Sequence, residues 1–151
     1  MKSSVLIVSM FLWLAAALFA GEPANEEGRS RFRAVDIYLD SKGTPLAAYQ
    51  LEFAVTNIAA KIVGIEGGEH PSFHEAPFYD TKAIQHERVI IAAFSTDSLE
   101  KLPAGRTRIA TIHFQILGDG EPAFLLKLQT AADSQGTKIS VEANVESANS
   151  K

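Results

Sequence analysis

Apolar and polar residues alternate at every second position along most of this chain. The alternation runs through residues 35–39, 49–55, 108–116, 124–130 and 138–145. Strict alternation is typical of antiparallel strands that bury one face and expose the other. In residues 108–116 it predicts that Ala110, Ile112, Phe114 and Ile116 face inward, and that Thr111, His113 and Gln115 face outward.

Two further segments complete the set of predicted strands. Residues 89–94, VIIAAF, are apolar throughout, which predicts a central strand that is covered on both sides. Residues 61–65 form a shorter candidate strand. Residues 81–85 and 97–102 each have the length of one turn of helix, and no segment as long as a typical globular helix carries a helical apolar stripe.

Segments that contain glycine or proline separate the predicted strands: DSKGTP, EGGEHP, LPAGRT, GDGEP and DSQGT. Glycine supplies positive φ at no steric cost, and proline presets the first corner of a turn. Roughly seven or eight short strands with turns between them are typical of a β-sandwich. The predicted fold class is therefore all-β, an antiparallel β-sandwich.

The first residues have a different character. Lys2 precedes the run 5–19, which is apolar apart from Ser9 and ends close to small residues. A charged start, a short apolar centre and a small-residue end are typical of a secretory signal peptide. Cleavage is predicted after Ala20, with cleavage after Ala17 or retention as an uncleaved membrane anchor as the alternatives.

The chain is thus divided into a signal peptide (1–20), a flexible lead-in (21–31), one β-sandwich domain (32–145) and a disordered tail (146–151). A domain of this size is large enough to bury a substantial core. The predicted location is the periplasm or the outside of the cell, with the membrane touched only through the signal segment.

Charge and cysteine content exclude several function classes. The formal charge is −4, and loss of residues 1–20 removes only Lys2, so the charge becomes −5. Because lysines and arginines are scattered, nucleic acid is not an expected partner. The absence of cysteine excludes disulfides, thiolate metal sites, cysteine nucleophiles and lipid attachment at a mature N-terminus.

The densest polar stretch is residues 65–80, IEGGEHPSFHEAPFYD. His70 and His74, with a third ligand from Glu75, Asp80 or His86, are a candidate metal-binding set, since zinc takes histidine and carboxylate ligands. Pro71, however, biases His70 away from the helical conformation that would bring both rings to one face. A metal site is therefore kept as an alternative, and no cofactor is expected.

The same stretch holds three aromatic residues, Phe73, Phe78 and Tyr79, which are the candidate ligand-binding residues. Apolar faces of sugar rings pack on aromatic rings, so these side chains are suited to a carbohydrate platform. The alternative is that they cover the open end of the sandwich. Trp13, the only tryptophan, lies in the predicted signal peptide.

No catalytic constellation is predicted, so the protein is not expected to be an enzyme. Glu66 with Glu69, or Asp97 with Glu100, would suit general acid–base chemistry. The 18 acidic residues of this chain make chance pairs of this kind common. Ser95 has no G-x-S-x-G elbow around it.

The order of segments resembles the cohesin family over roughly residues 33–145. The resemblance is carried by the strand LAAYQLEFAV, the strand and long loop AKIVGIEGGEHPSF, the central strand RVIIAAFS, and the turn and strand LPAGRTRIATIHFQI. It implies a jelly-roll sandwich of about nine strands, in the broader group that includes carbohydrate-binding modules. It also implies a non-catalytic module that binds a protein partner, a dockerin in cellulosomes, with one flat face.

The resemblance implies a fold and a class of binding function for this chain. It does not identify which residues contact the partner. It implies a protein–protein interaction in scaffolding or assembly, at the cell envelope or outside the cell. The alternative is a carbohydrate-binding module linked to polysaccharide breakdown. A metal-dependent site at His70 and His74 is the third hypothesis.

Overall fold

The computed structural model describes residues 29–148, so the predicted signal peptide, most of the lead-in and the last three residues lie outside this range. Within it the chain forms strands and three single turns of 3-10 helix, and none of its helical segments has the length and apolar character to cross a membrane. The strands are β1 (Ser30–Asp40), β2 (Ala48–Val55), β3 (Ala60–Gly67), β4 (Phe78–Tyr79), β5 (Arg88–Phe94), β6 (Arg106–Leu117), β7 (Phe124–Ala132) and β8 (Glu142–Ser147).

The strands form two four-stranded sheets, in which every pairing is antiparallel. The first sheet has the order β3-β6-β1-β8, and the second has the order β4-β5-β2-β7. The prediction of an all-β antiparallel sandwich is confirmed. The described residues contain eight strands, within the predicted seven or eight and one fewer than the cohesin resemblance implies. The pattern did not predict β4, and the last strand begins at Glu142 instead of 138. Jelly-roll topology stays a prediction.

A single apolar core lies between the two sheets, as the alternation requires. Phe114 from β6 meets Phe53 from β2, with ring centroids 6.4 Å apart, and both rings contact Phe124 from β7. Burial of one such side chain stabilises the fold by about 1.5–3 kcal/mol. Because the chain has no cysteine, this core is what joins the sheets.

The connections follow the predicted turn chemistry. Gly43 in DSKGTP and Gly136 in DSQGT have φ values of +91° and +78°, in the left-handed region that favours glycine. The helical turns expected near 81–85 and 97–102 are 3-10 turns at Thr81–Ala83 and Leu99–Lys101. The outermost strands extend the predicted domain slightly, since β1 begins at Ser30 and β8 ends at Ser147.

The prediction that β5 is covered on both sides is wrong. Val89 and Ile91 point into the core, whereas Ile90 and Phe94 face outward and are exposed. No layer of the described residues covers this outer face, and β4, the neighbour on one side, contributes only two residues. An apolar strand therefore presents apolar side chains to solvent, and this surface carries the candidate site.

Candidate functional site

Two glycines fold the polar stretch back onto the sandwich. A Cβ atom at Gly67, the last residue of β3, would overlap the carbonyl oxygen of His74, and one at Gly68 would overlap that of Arg108. The amide of Gly68 donates a hydrogen bond to the carbonyl oxygen of Phe73 at 2.7 Å. The loop 68–77 is thus held against the end of β3 because neither glycine carries a side chain.

The two histidines of this loop bind to backbone groups of the same turn. His70 has extended backbone angles, as the following proline predicts, and its Nδ1 accepts a hydrogen bond from the amide of Ser72 at 3.2 Å. The Nδ1 of His74 lies 2.6 Å from the carbonyl oxygen of Pro71 and therefore donates to it. Glu75 lies 3.7 Å from the other ring nitrogen of His74, and both side chains are exposed.

This arrangement does not bring His70, His74 and Glu75 together as ligands of one metal ion. Residues 29–148 contain no group of three or more histidine, aspartate and glutamate side chains that could hold a metal ion. The metal hypothesis for His70, His74 and Glu75 therefore gains no support from the geometry.

The structure separates the three predicted aromatic residues. Phe73 is buried and packs edge-on against Tyr49 at 5.4 Å, and Tyr79 is half-buried against the core. Tyr49 donates its hydroxyl to the carbonyl oxygen of Ile109, and burial raises its pKa. Phe78 alone faces solvent, with 70% of its surface exposed. Two of the three rings thus close the core, and one is available to a ligand.

Phe94 is the site residue that the sequence analysis missed. It is 63% exposed and lies beside Phe78 with centroids 6.1 Å apart and ring planes only 11° from parallel. The β4–β5 pairing explains this contact, because Phe78 lies opposite Ala92 and Phe94 is the next outward residue of β5. In the sequence, the only feature that indicates a site at Phe94 is its position at the end of an apolar run, just before Ser95.

A cleft of about 350 Å³ opens beside this pair, between the loop and the segment that follows β5. We call it the aromatic cleft, and its lining residues are Pro71, Ser72, Phe73, His74, Glu75, Ala76, Phe78, Ala93, Phe94, Ser95, Thr96 and Asp97. Its lining includes two carboxylates, those of Glu75 and Asp97, and no lysine or arginine. The site thus combines the exposed Phe78–Phe94 pair with two carboxylates, and we call Glu75 and Asp97 together its acidic wall.

Hydrogen bonds hold Asp97, one of the two carboxylates of the acidic wall, in place. The hydroxyl of Ser72 donates to Oδ2 of Asp97 at 2.6 Å, and the amide of Asp97 donates to the hydroxyl of Ser95 at 3.1 Å. Donation from Ser72, assisted by Ser95, holds the pKa of Asp97 below its ordinary value. Asp97 is thus kept ionised next to the phenylalanine pair.

Replacement of Ser72 by alanine is expected to raise the pKa of Asp97 towards its ordinary value, because the largest interaction favouring the ionised form is lost. An NMR titration of the side-chain carboxyl carbon measures this change. Ser98→Ala is the matched control, since Ser98 is the main cause of the lowered pKa of Glu100. If Ser72→Ala left the titration of Asp97 unchanged, this would contradict the conclusion that Ser72 lowers the pKa of Asp97.

Comparison with known proteins finds no match for this chain. No family model matches the chain, and neither the curated proteins nor the solved structures include a match. The cohesin resemblance accordingly stays a prediction, and function has to be argued from the site itself.

Proposed function

We propose that this protein is an exported, non-catalytic binding module that holds a protein partner against the outer face of its second sheet. The exposed Phe78–Phe94 pair carries the proposal. Single exposed apolar residues are ordinary on a soluble protein, whereas contiguous apolar patches mark interaction surfaces. Ile90 extends the patch along β5, and aromatic side chains are typical anchors of protein interfaces.

The residues around the patch favour a protein as the ligand. Arg88 and Glu52 form an ion pair at 2.5 Å on the same outer face, and Gln50 and Gln129 are hydrogen-bonded across β2 and β7. An apolar centre with a polar rim is the common anatomy of a protein–protein interface.

The acidic wall specifies the chemistry of that partner. The carboxylates of Glu75 and Asp97 complement a positive charge, while the phenylalanine pair requires an apolar group beside it. The expected partner therefore presents an apolar side chain next to a lysine or arginine. The cohesin resemblance supports the same class of function, in scaffolding or assembly, and the predicted signal peptide supports a location in the periplasm or outside the cell.

The test is capture of a partner by the purified protein and by two matched variants. Phe78→Ser with Phe94→Ser removes both anchors, and Phe32→Ser removes an equally exposed phenylalanine from the first sheet. We expect the wild type and the Phe32 variant to recover the same envelope or secreted protein. Loss of two interface anchors is expected to weaken recovery by about thirtyfold or more, since each contributes at least ~1 kcal/mol.

Two controls make this result decisive. All three proteins should unfold at the same temperature, because the replaced rings are exposed. Asp97→Lys should also weaken capture, with an effect that shrinks as salt is added. A partner that binds the double variant as well as the wild type would overturn the proposal.

A carbohydrate ligand at the same cleft is the second candidate, and the nearly parallel rings of Phe78 and Phe94 favour it, since such rings can pack on sugar faces. Glycan-array binding by the wild type that disappears in the double variant would select this function. Binding that survives would exclude the cleft as a carbohydrate site.

A further inference from the structure

The outer face of the first sheet carries a second surface, on the opposite side of the molecule from the aromatic cleft. Three rows of side chains cross strands β3, β6 and β1 on this face. The rows are Lys61, Gln115 and Phe32; Gly64, His113 and Ala34; and Glu66, Thr111 and Asp36. All of these residues except Lys61 and Gln115 line part of an open depression, together with Val63, which shares the bulge opposite His113. We call this part of the depression the transverse groove.

The groove is part of an open depression of about 1290 Å³ that continues past Tyr38 and over the edge of β1. Phe32, which is 71% exposed, forms one wall. Glu66 and Asp36 belong to the opposite wall. An apolar ring thus lies on one side of the His113 row and a row of polar groups lies on the other.

The polar wall is ordered before any ligand binds. Oε1 of Glu66 lies 2.9 Å from Nε2 of His113, and the hydroxyl of Thr111 donates to Oδ1 of Asp36 at 2.6 Å. The guanidinium of Arg108 donates to the same hydroxyl at 2.7 Å and to the carbonyl oxygen of Gly67 at 3.3 Å. Fixed donors and acceptors reduce the ordering that a ligand would otherwise have to impose.

The charged groups that line this depression already contact other protein groups. Arg33 is paired with Glu121 at 3.2 Å, and Arg108 lies 3.9 Å from Asp36. Glu66 contacts His113, and Glu69 accepts a hydrogen bond from the amide of Arg108 at 2.9 Å, so a charged ligand would have to displace one of these contacts. A hydroxyl group both donates and accepts, so it suits a carboxylate or a guanidinium as its neighbour. The carboxylates of Glu66 and Asp36 each use one oxygen in the bonds above, and the second oxygen is the group that each offers to a ligand.

We propose that the transverse groove binds a neutral, polyhydroxylated ligand, namely a segment of an uncharged polysaccharide. The ring of Phe32 packs on the apolar face of a sugar, and Glu66, Asp36 and Arg108 bond to its hydroxyl groups. Strands lie about 4.8 Å apart, so the three strands span about 10 Å, the length of about two hexose units. The protein would then hold a polysaccharide on one face and its protein partner on the other.

The test is titration of the purified, isotope-labelled protein with neutral hexasaccharides of glucose, xylose and mannose, and with the anionic hexamer of galacturonate. We expect at least one neutral hexamer to shift the amide signals of β1, β3 and β6 at millimolar concentration. Phe32→Ala should weaken that binding about tenfold. Phe94→Ala, the matched change on the second sheet, should leave it unaltered.

Three results would overturn the proposal: no amide shift with any neutral hexamer, tighter binding of the galacturonate hexamer, or loss of binding in Phe94→Ala instead of Phe32→Ala. The last would place the saccharide in the aromatic cleft. Because both phenylalanines are exposed, equal unfolding temperatures will show that each variant is folded. Partner capture that persists in Phe32→Ala keeps this test separate from that of the protein-binding function.

Discussion

Replacement of Phe114 by alanine is expected to lower the free energy of unfolding by about 3–5 kcal/mol. Phe114 has no exposed surface, and it projects from β6 of the first sheet into the core between the sheets. Its ring lies 6.4 Å from that of Phe53 and 5.5 Å from that of Phe124, both of the second sheet. Truncation therefore leaves a cavity at the centre of the contact that holds the sandwich together.

The loss is large because no disulfide supports the packing between the two sheets. The chain has no cysteine, and domains of this size have total stabilities of about 5–15 kcal/mol. Thermal or urea denaturation followed by circular dichroism measures the effect, and we expect the melting temperature to fall by more than about 10 °C.

Phe32→Ala is the matched control for this measurement. Phe32 lies on β1, the strand next to β6, but its ring is exposed. Its truncation should change the free energy of unfolding by less than about 0.5 kcal/mol. Equal effects of the two changes would mean that the Phe114 cluster is not the centre of the core.

The sequence predicts inner and outer faces well wherever polar residues alternate with apolar ones. In β6 the predicted inward residues Ala110, Ile112, Phe114 and Ile116 are all buried, whereas His113 and Gln115 are partly exposed. Thr111 points outward as predicted but is covered by its bonds to Asp36 and Arg108. The period of a strand is a local property of the backbone, so a single sequence is enough to reveal it.

The sequence fails at β5 for a related reason. A continuous apolar run indicates that both faces of the strand are apolar. It does not indicate whether other parts of the protein cover both faces. Phe94 is paired with Phe78 only because β4 lies beside β5 in one particular register. That register depends on the loop between them, so half of the aromatic cleft could not be predicted from local pattern.

The transverse groove depends on an irregularity of the same kind. The pairing of β3 with β6 shifts between Ile62 and Gly64, which places Gly64 opposite His113. Regular pairing would place Val63 alone opposite His113, whereas the shift brings Gly64 there as well, with Val63 lining the groove beside it. Bulges are set by tertiary context, and an isolated glycine within a strand is their weak local signal.

Replacement of Gly67 by alanine is expected to lower the free energy of unfolding by about 2–4 kcal/mol and to displace the loop that forms the aromatic cleft. The new Cβ would overlap the carbonyl oxygens of His74 and Glu75, which are backbone atoms and cannot move aside as a side chain does. The loop must therefore leave β3 or the end of β3 must distort. Either change moves Ser72 and Glu75 away from Asp97 and Phe94, so partner capture should fall together with stability.

Gly64→Ala is the matched control, because Gly64 lies on the same strand and its new Cβ would meet only the His113 side chain, at 3.8 Å and 3.9 Å. These are ordinary contacts, and alanine restricts the unfolded chain more than glycine does, so stability should stay equal or rise by up to about 1 kcal/mol. Neither glycine has positive φ, so alanine is not strained by the backbone conformation at either position. A difference in the free energy of unfolding between the two variants therefore reports the close approach of the backbone at Gly67. If Gly67→Ala proved as stable as Gly64→Ala and still captured the partner, the loop would be free to leave β3, and its contact with the glycine pair would not be what shapes the cleft.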